Sequence, residues 1–329
     1  MRAVVLSEHG DPEVLTVTEI EDPEPGPEEV VVAVASTALN RADVLQRMGF
    51  YPEPGPPKAH EIPGMELAGR VVARGARVTA WAEGDAVMGI VTGGAYAEKV
   101  AVHERQLLAV PPALPLTDAG AVPEVYLTAW DALVVQGGLS AGRWALVHAG
   151  ASGVGTAAIG LCRELGASVV VTTSTSKVDA CRELGADVVV DYRAGQDFVE
   201  AVAEATGGRG VDVVLDVIGG DYVDRNVAAL RTGGTIVQVG VMGGGRAEVN
   251  VGALLPKRAR LIGTVLRPRH LEEKIALTQR FGREVLPWFA SGALRPVIDS
   301  RFPLDQAAEA HRRMESNANV GKIVLEISP

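Results

Sequence analysis

Hydrophobic positions along this chain follow one rhythm up to about residue 120 and another after it. In the first part they come in short runs punctuated by Gly and Pro. Residues 1–10 and 13–20, Val30–Ala35, Glu66–Arg74, Ala86–Ile90 and Ala95–Val102 read as strands. Many short strands with such punctuation predict a small β-barrel-like lobe. Thr37–Met48, with Ala42, Leu45 and Met48, reads as a short helical segment, and a proline-rich loop runs from Tyr51 to Pro57.

From about residue 122 the pattern alternates. A helix is expected over Glu124–Gln136, stopped by Gly137-Gly138. Apolar runs beginning at Trp144, Ser168, Val188, Val211, Thr235 and Arg260 read as six strands. A helix carrying Val154 to Leu165 on its stripe and helices over Val178–Leu184, Asp197–Ala205 and Val223–Leu230 lie among the first five. Strands that alternate with helices predict a parallel, doubly wound sheet. The hexapeptide Cys162-Arg-Glu-Leu-Gly-Ala167 recurs as Cys181-Arg-Glu-Leu-Gly-Ala186, which we read as one helix stop used twice. Beyond 266 come a long helix over Leu271–Phe289, striped by Leu277, Phe281, Val285 and Trp288, a strand Val297–Phe302, a helix Leu304–Met314 and a last strand Lys322–Ile327. These are expected to rejoin the first lobe. The organisation is thus 1–121 and 267–329 as one domain, with 122–266 inserted.

The inserted part carries the chemistry most open to reading. After the strand at Trp144 comes a turn with Gly150, Gly153 and Gly155, then an apolar helical stripe of Val154, Ala157, Ala158, Leu161 and Leu165. A strand, a glycine turn and a helix N-terminus suit a pyrophosphate, because the backbone approaches closely and first-turn amides face the anion. The spacing is G-x-x-G-x-G rather than G-x-G-x-x-G. The second strand ends in Thr172-Thr-Ser-Thr-Ser-Lys177, without the acid that would bind a ribose 2′-hydroxyl. Hydroxyls, amides and an ammonium suit a 2′-phosphate, so NADPH is the expected cofactor.

Composition narrows the partners. The 329 residues are 47% hydrophobic and 22% charged, with a net charge of −10. The acidic balance, with a pI of about 5.2, argues against nucleic acid or an anionic membrane as partner. The first residues hold no apolar core like that of a signal peptide, and no apolar run is long enough to span a membrane. Cys162 and Cys181 are read as two buried thiols on helices, with a cytoplasmic location as the default.

Asn40-Arg-Ala-Asp43, Pro63-Gly-Met-Glu-Leu-Ala-Gly69, Tyr126-Leu-Thr-Ala-Trp130, His148–Gly155, Leu266-Arg-Pro-Arg269 and Asn319-Val-Gly-Lys-Ile-Val324 together carry a resemblance. The chain resembles the zinc-independent quinone oxidoreductases of the medium-chain dehydrogenase/reductase superfamily, the zeta-crystallin group, and within it the p53-inducible type. The resemblance covers essentially the whole chain. It implies a Rossmann sheet inserted in a GroES-like β-barrel catalytic domain, an active cleft between them, and a homodimer through the sixth strand near Arg260–Val265. It places NADPH on Ser152, Gly153 and Val154 at the pyrophosphate. Ser174, Lys177 and Tyr192 would surround the 2′-phosphate and adenosine. Asn40, Thr128, Gly240, Met242, Leu266 and Asn317 would line the nicotinamide half.

Zinc-dependent relatives supply a Cys near the position of Asn40 and a Gly-His-Glu near Gly64-Met65-Glu66. Asn and Met in those slots imply no metal, since a catalytic zinc needs three protein ligands. His60-Glu61 lies upstream of the matching slot and reads as loop surface; His148 reads as packed core. The implied reaction is hydride transfer from NADPH to a quinone, with the proton drawn from water. Tyr51 is the candidate hydrogen-bond donor to the acceptor oxygen, and Asn40 and Asp43 position the acceptor or the nicotinamide. Two other readings stay open: reduction of α,β-unsaturated carbonyls (alkenals, enones or enoyl groups), and an NADPH-binding structural or RNA-binding protein.

Overall fold

The computed structural model describes residues 1–56 and 58–327. Pro57, which closes the proline-rich loop, and the last two residues lie outside the described residues. The chain divides into two compact units, Met1–Leu127 with Leu266–Pro329, and Thr128–Val265.

In the first unit the strands are β1 (Arg2–Leu6), β2 (Leu15–Glu19), β3 (Glu29–Ala38), β4 (Glu66–Arg74), β5 (Ala86–Ile90), β6 (Lys99–His103) and β7 (Leu107–Ala109). β1 and β2 pair antiparallel. The core gathers Val30, Val32 and Val34 of β3 with Leu67 and Val71 of β4, Val87 of β5 and Val100 and Val102 of β6. Two expectations shift here. The strand foreseen from Ala95 begins only at Lys99, and the helix foreseen from Thr37 begins at Arg41 (α1, Arg41–Arg47), because Thr37 and Ala38 complete β3. A short helix α2 (Leu116–Ala119) precedes α3 (Pro123–Trp130). The expected helix to Gln136 leaves the α-helical path at Asp131 for one wide turn, Asp131–Gln136.

The second unit holds β8 (Trp144–Val147), α4 (Gly153–Leu165), β9 (Ser168–Thr173), α5 (Val178–Glu183), β10 (Val188–Asp191), α6 (Phe198–Thr206), β11 (Val211–Asp216), α7 (Tyr222–Ala229), β12 (Leu230–Gln238), α8 (Val251–Lys257) and β13 (Arg260–Gly263). The six strands lie in the order β10-β9-β8-β11-β12-β13, all parallel. Leu146, Val170, Val190, Val214 and Ile236 from five of them pack with Phe198, Val202 and Val227 of the covering helices. Near-continuous apolar strands follow from burial on both faces. Both copies of the repeated hexapeptide stop their helix at a left-handed glycine, Gly166 (φ 72°) and Gly185 (φ 98°). Cys162 and Cys181 are free and buried.

The chain then returns to the first unit with α9 (Leu271–Glu284), α10 (Leu286–Ala290), β14 (Ile298–Pro303), α11 (Ala307–Glu315) and β15 (Lys322–Glu326). The expected single helix to Phe289 is therefore two. Pro287 lacks an amide proton and its ring would crowd the carbonyl four residues back, so the helix breaks ahead of it. The break turns Phe289 inward (1% exposed) and leaves Trp288, foreseen on the apolar stripe, only half-buried. β15 enters the sheet between β14, with which it is parallel, and β3, with which it is antiparallel.

Candidate active site

Two groups of residues carry chemistry, one in each unit. In the first unit, Asn40 caps α1. Its backbone amide donates to Asp43 Oδ2 (2.7 Å), closing a capping box. The Asn40 amide nitrogen donates to Glu66 Oε1 (3.0 Å), and its oxygen accepts from Lys322 Nζ (2.7 Å). Lys322 also donates to the Leu39 carbonyl (2.7 Å) and pairs with Glu66 (2.8 Å), so its three protons have three acceptors. Both charges are buried, the Glu66 side chain wholly. The second Glu66 oxygen accepts the Glu124 amide at the start of α3 (2.8 Å).

Asp43 is fully buried. It accepts from the amides of Asn40 and Gly64 and from the Tyr96 hydroxyl (3.3 Å). Burial pushes its pKa up to about 6, against the Asn40 amide and the Lys322 charge. These bonds fasten Asp43 to the loop at Gly64 and to the start of α1. Tyr51 is half-buried, and the Arg267 guanidinium sits 5.3 Å from its ring centre. Arg267, 4% exposed, donates to Gln46 Oε1 (2.8 Å), to the Tyr51 carbonyl (3.4 Å) and to the Thr92 carbonyl. Burial, then the neighbouring Glu124, raises the Tyr51 phenol pKa. Leu266 is buried. Asn317 adopts φ 53° beyond the end of α11, and its oxygen accepts from Arg41 (2.6 Å). Glu61 is engaged by Gln46 (2.9 Å) and by His9 (3.3 Å), so only His60 of that pair is plain loop surface.

In the second unit the foreseen residues collect at the C-terminal ends of the parallel strands. Such an edge is where ligands bind open α/β sheets. After β8, Ser152 caps α4 and its hydroxyl accepts the Gly155 amide (3.0 Å). The amides of Gly153 and Val154, in the first turn, have no acceptor within the helix. A Cβ on Gly155 would lie 2.3 Å from the Ala149 carbonyl oxygen and 2.5 Å from that of Gly150, so this turn admits only glycine there. After β9, Ser174 leads into a single turn, Thr175–Lys177, ahead of α5. After β10 comes exposed Tyr192, and the adjacent Asp191 carboxylate accepts two amides of its own turn, Arg193 (2.9 Å) and Ala194 (3.3 Å). After β12 come Gly240 and exposed Met242, whose amide is held by the Val217 carbonyl (3.1 Å). Thr128, on α3, is buried. His148 bonds Asn226 (2.7 Å) and Thr172 (3.1 Å) and packs edge-on against Phe198 and Tyr222. Burial lowers its pKa, the state of a neutral core histidine.

Glu124, Arg267 and Lys322 stand out only in the structure. Lys322 and Arg267 lie within motifs already noted. Glu124 follows a proline at a helix start, which is also an ordinary place for an acid.

Residues 26–112 match the alcohol dehydrogenase GroES-like domain, and residues 184–325 match the zinc-binding dehydrogenase family. The chain is 32% identical over 322 residues to the synaptic vesicle membrane protein VAT-1 homolog of Rattus norvegicus, covering 93% of this chain and 79% of that one. It is 30% identical over 328 residues to the quinone oxidoreductase of Lama guanicoe, covering 99% and 97%. The crystal structure of Escherichia coli quinone oxidoreductase complexed with NADPH superimposes with a TM-score of 0.87 at 29% identity, covering 99% of this chain and all of that one.

Proposed function

The chain belongs to the quinone oxidoreductase group of the medium-chain dehydrogenase/reductase superfamily, and on that premise we propose that this oxidoreductase reduces quinones with NADPH and without a metal. The observation that carries the metal-free reading is the ammonium of Lys322, 2.7 Å from Asn40 Oδ1 and 2.8 Å from Glu66. A divalent cation would need these same donors, and Lys322 already satisfies them. Asn40 and Met65 offer an amide and a thioether, and the described residues hold no group of three His, Cys, Asp or Glu placed for a metal. This donor set does not fit zinc.

The second unit's residues do fit a dinucleotide. The glycine-only turn and the amides of Gly153 and Val154 would take the pyrophosphate. Ser174 and Lys177 would take the 2′-phosphate, in keeping with the NADPH in the Escherichia coli relative. Tyr192, Gly240, Met242 and Thr128 would serve the remaining contacts of this unit. The bound cofactor supplies the hydride. Tyr51, its loop pinned by Arg267, would hydrogen-bond the acceptor oxygen as charge develops there. The two free, buried thiols accord with a reducing, cytoplasmic setting.

A dimer through β13 belongs to the same proposal. This strand lies at the sheet edge with Leu261 52% exposed, an apolar edge that pairing would cover. A monomeric mass in solution at micromolar concentration would remove it. The function is tested by following NADPH absorbance with ortho- and para-quinones, with NADH as a control and a chelator throughout. Quinone-dependent oxidation that survives the chelator is the expected result. Loss of activity with the chelator and its return with zinc would overturn the metal-free reading.

A further inference from the structure

A reduction by hydride also consumes a proton, and the first unit contains a carboxyl group suited to supply it. Glu124 lies in the first turn of α3. Its backbone amide is bound to Glu66, but among the described residues its side chain has no hydrogen bond and no ion pair. It is largely buried without being sealed.

The charged and titratable groups facing it come from every element around it: Glu66 on β4, Asp43 on α1, Lys322 on β15, Arg267 ahead of α9, Lys274 on α9, and Tyr51. Two of them, Glu66 and Asp43, are acids that oppose a second negative charge. The cations are committed elsewhere. Lys322 donates to Leu39, Asn40 and Glu66, Arg267 donates to Thr92, Tyr51 and Gln46, and Lys274 turns to the Arg267 carbonyl (3.4 Å). A carboxylate here has like charges beside it and no counter-ion aimed at it. The neutral acid is the favoured form, and burial followed by repulsion from Glu66 pushes the pKa up to about 8. An acid of that pKa is matched to proton transfer near neutral pH.

We propose that Glu124 is the resident acid of this site and gives the reduced acceptor its proton. The inference rests on the reductase reading. As the acceptor gains a hydride, negative charge develops on its oxygen. The Glu124 O–H bond breaks, the proton joins that oxygen, and the carboxylate left behind recovers a proton from water. Two electrons and one proton from the hydride, plus this second proton, convert quinone to hydroquinone.

The test uses the full chain in two measurements. Infrared difference titration of cofactor-free protein should show a protonated carboxyl band at pH 7 that disappears with a midpoint near pH 8 and is absent from Glu124→Gln. Both Gln and Asp variants keep the backbone amide that binds Glu66. In turnover with a quinone, the parent kcat should fall above about pH 8. Glu124→Gln should lose roughly 100-fold and the falling limb, with NADPH Kd unchanged, and Glu124→Asp should recover part of both. No protonated band at pH 7, or a Gln variant that keeps the parental rate and pH limb, overturns the assignment. A parent that shows the band yet oxidises no NADPH with any quinone or enone offered overturns the reductase reading instead.

Discussion

Replacing Lys322 by methionine removes a charge while nearly keeping the side chain's volume. Its consequence can be worked from the contacts. The lysine's side chain is 3% exposed and its partner Glu66 is wholly buried. The substitution leaves the Glu66 carboxylate without a counter-ion, and the Leu39 carbonyl and Asn40 Oδ1 each lose a donor. Removing one partner of a buried ion pair costs about 3–5 kcal/mol. The Asn40 and Glu124 amides still donate to Glu66 and soften the loss, so we take about 4 kcal/mol. For a unit of this size each kcal/mol moves the transition about 2–4 °C, so the first unit should melt about 10 °C lower. Adding Glu66→Gln removes the orphaned charge, and the double variant should regain about half of the loss. Differential scanning calorimetry of parent, both single variants and the double variant completes the cycle. A Lys322→Met transition within about 3 °C of the parent, or a double variant no better than the single, would refute the reasoning.

Three further outcomes follow from the same structure. Gly155→Ala places a Cβ against two backbone carbonyls that cannot retreat, so affinity for NADPH and NADH should fall together by at least about tenfold in fluorescence titrations, and unchanged affinity would show that the turn does not hold the pyrophosphate. Lys177→Ala should raise the NADPH Kd about tenfold, leave NADH nearly unchanged, and do so less at high salt, whereas equal loss of both cofactors would remove Lys177 as the discriminator. Stability should decline from acid toward alkaline pH. Glu124 binds its proton more tightly folded (about 8) than unfolded (4.5), and Asp43 likewise (about 6 against 3.8), so the folded state holds the extra protons across 4.5–8 and 3.8–6. The upper limb, worth about 3 kcal/mol after allowing for water at Glu124, should be missing from Glu124→Gln in urea unfolding at pH 5, 7 and 9, and an unchanged limb would count against it.

The parallel sheet was legible because its strands are buried on both faces and so read as unbroken apolar runs. The pyrophosphate turn was legible because its glycines are neighbours in sequence. Other features depend on distance. Lys322 meets Leu39 across 283 positions and Asn40 across 282, and no local pattern records such a meeting. Glu124 looks like any acid at a helix start until the committed donors of Lys322 and Arg267 are seen. β7 is three residues long, too short for a periodic signal. α8 carries Pro256 inside it, a residue without an amide proton that reads as a helix breaker. The break at Pro287 was open to reading, but the apolar stripe that continues to Trp288 argued for one helix.

The place of β15 has a bearing on biosynthesis. The nucleotide unit is one unbroken stretch and can close its core as soon as it leaves the ribosome. The other unit cannot. The strand that lies against β3, and the ammonium that neutralises Glu66, are translated after the whole inserted unit, with Lys322 lying 282 positions beyond Asn40. Until they arrive, the Ser36–Ala38 end of β3 lacks this partner strand and Glu66 has no counter-charge. A nascent chain stalled before Lys322 therefore exposes what quality control recognises, and completion of this lobe waits until the whole inserted unit has been made.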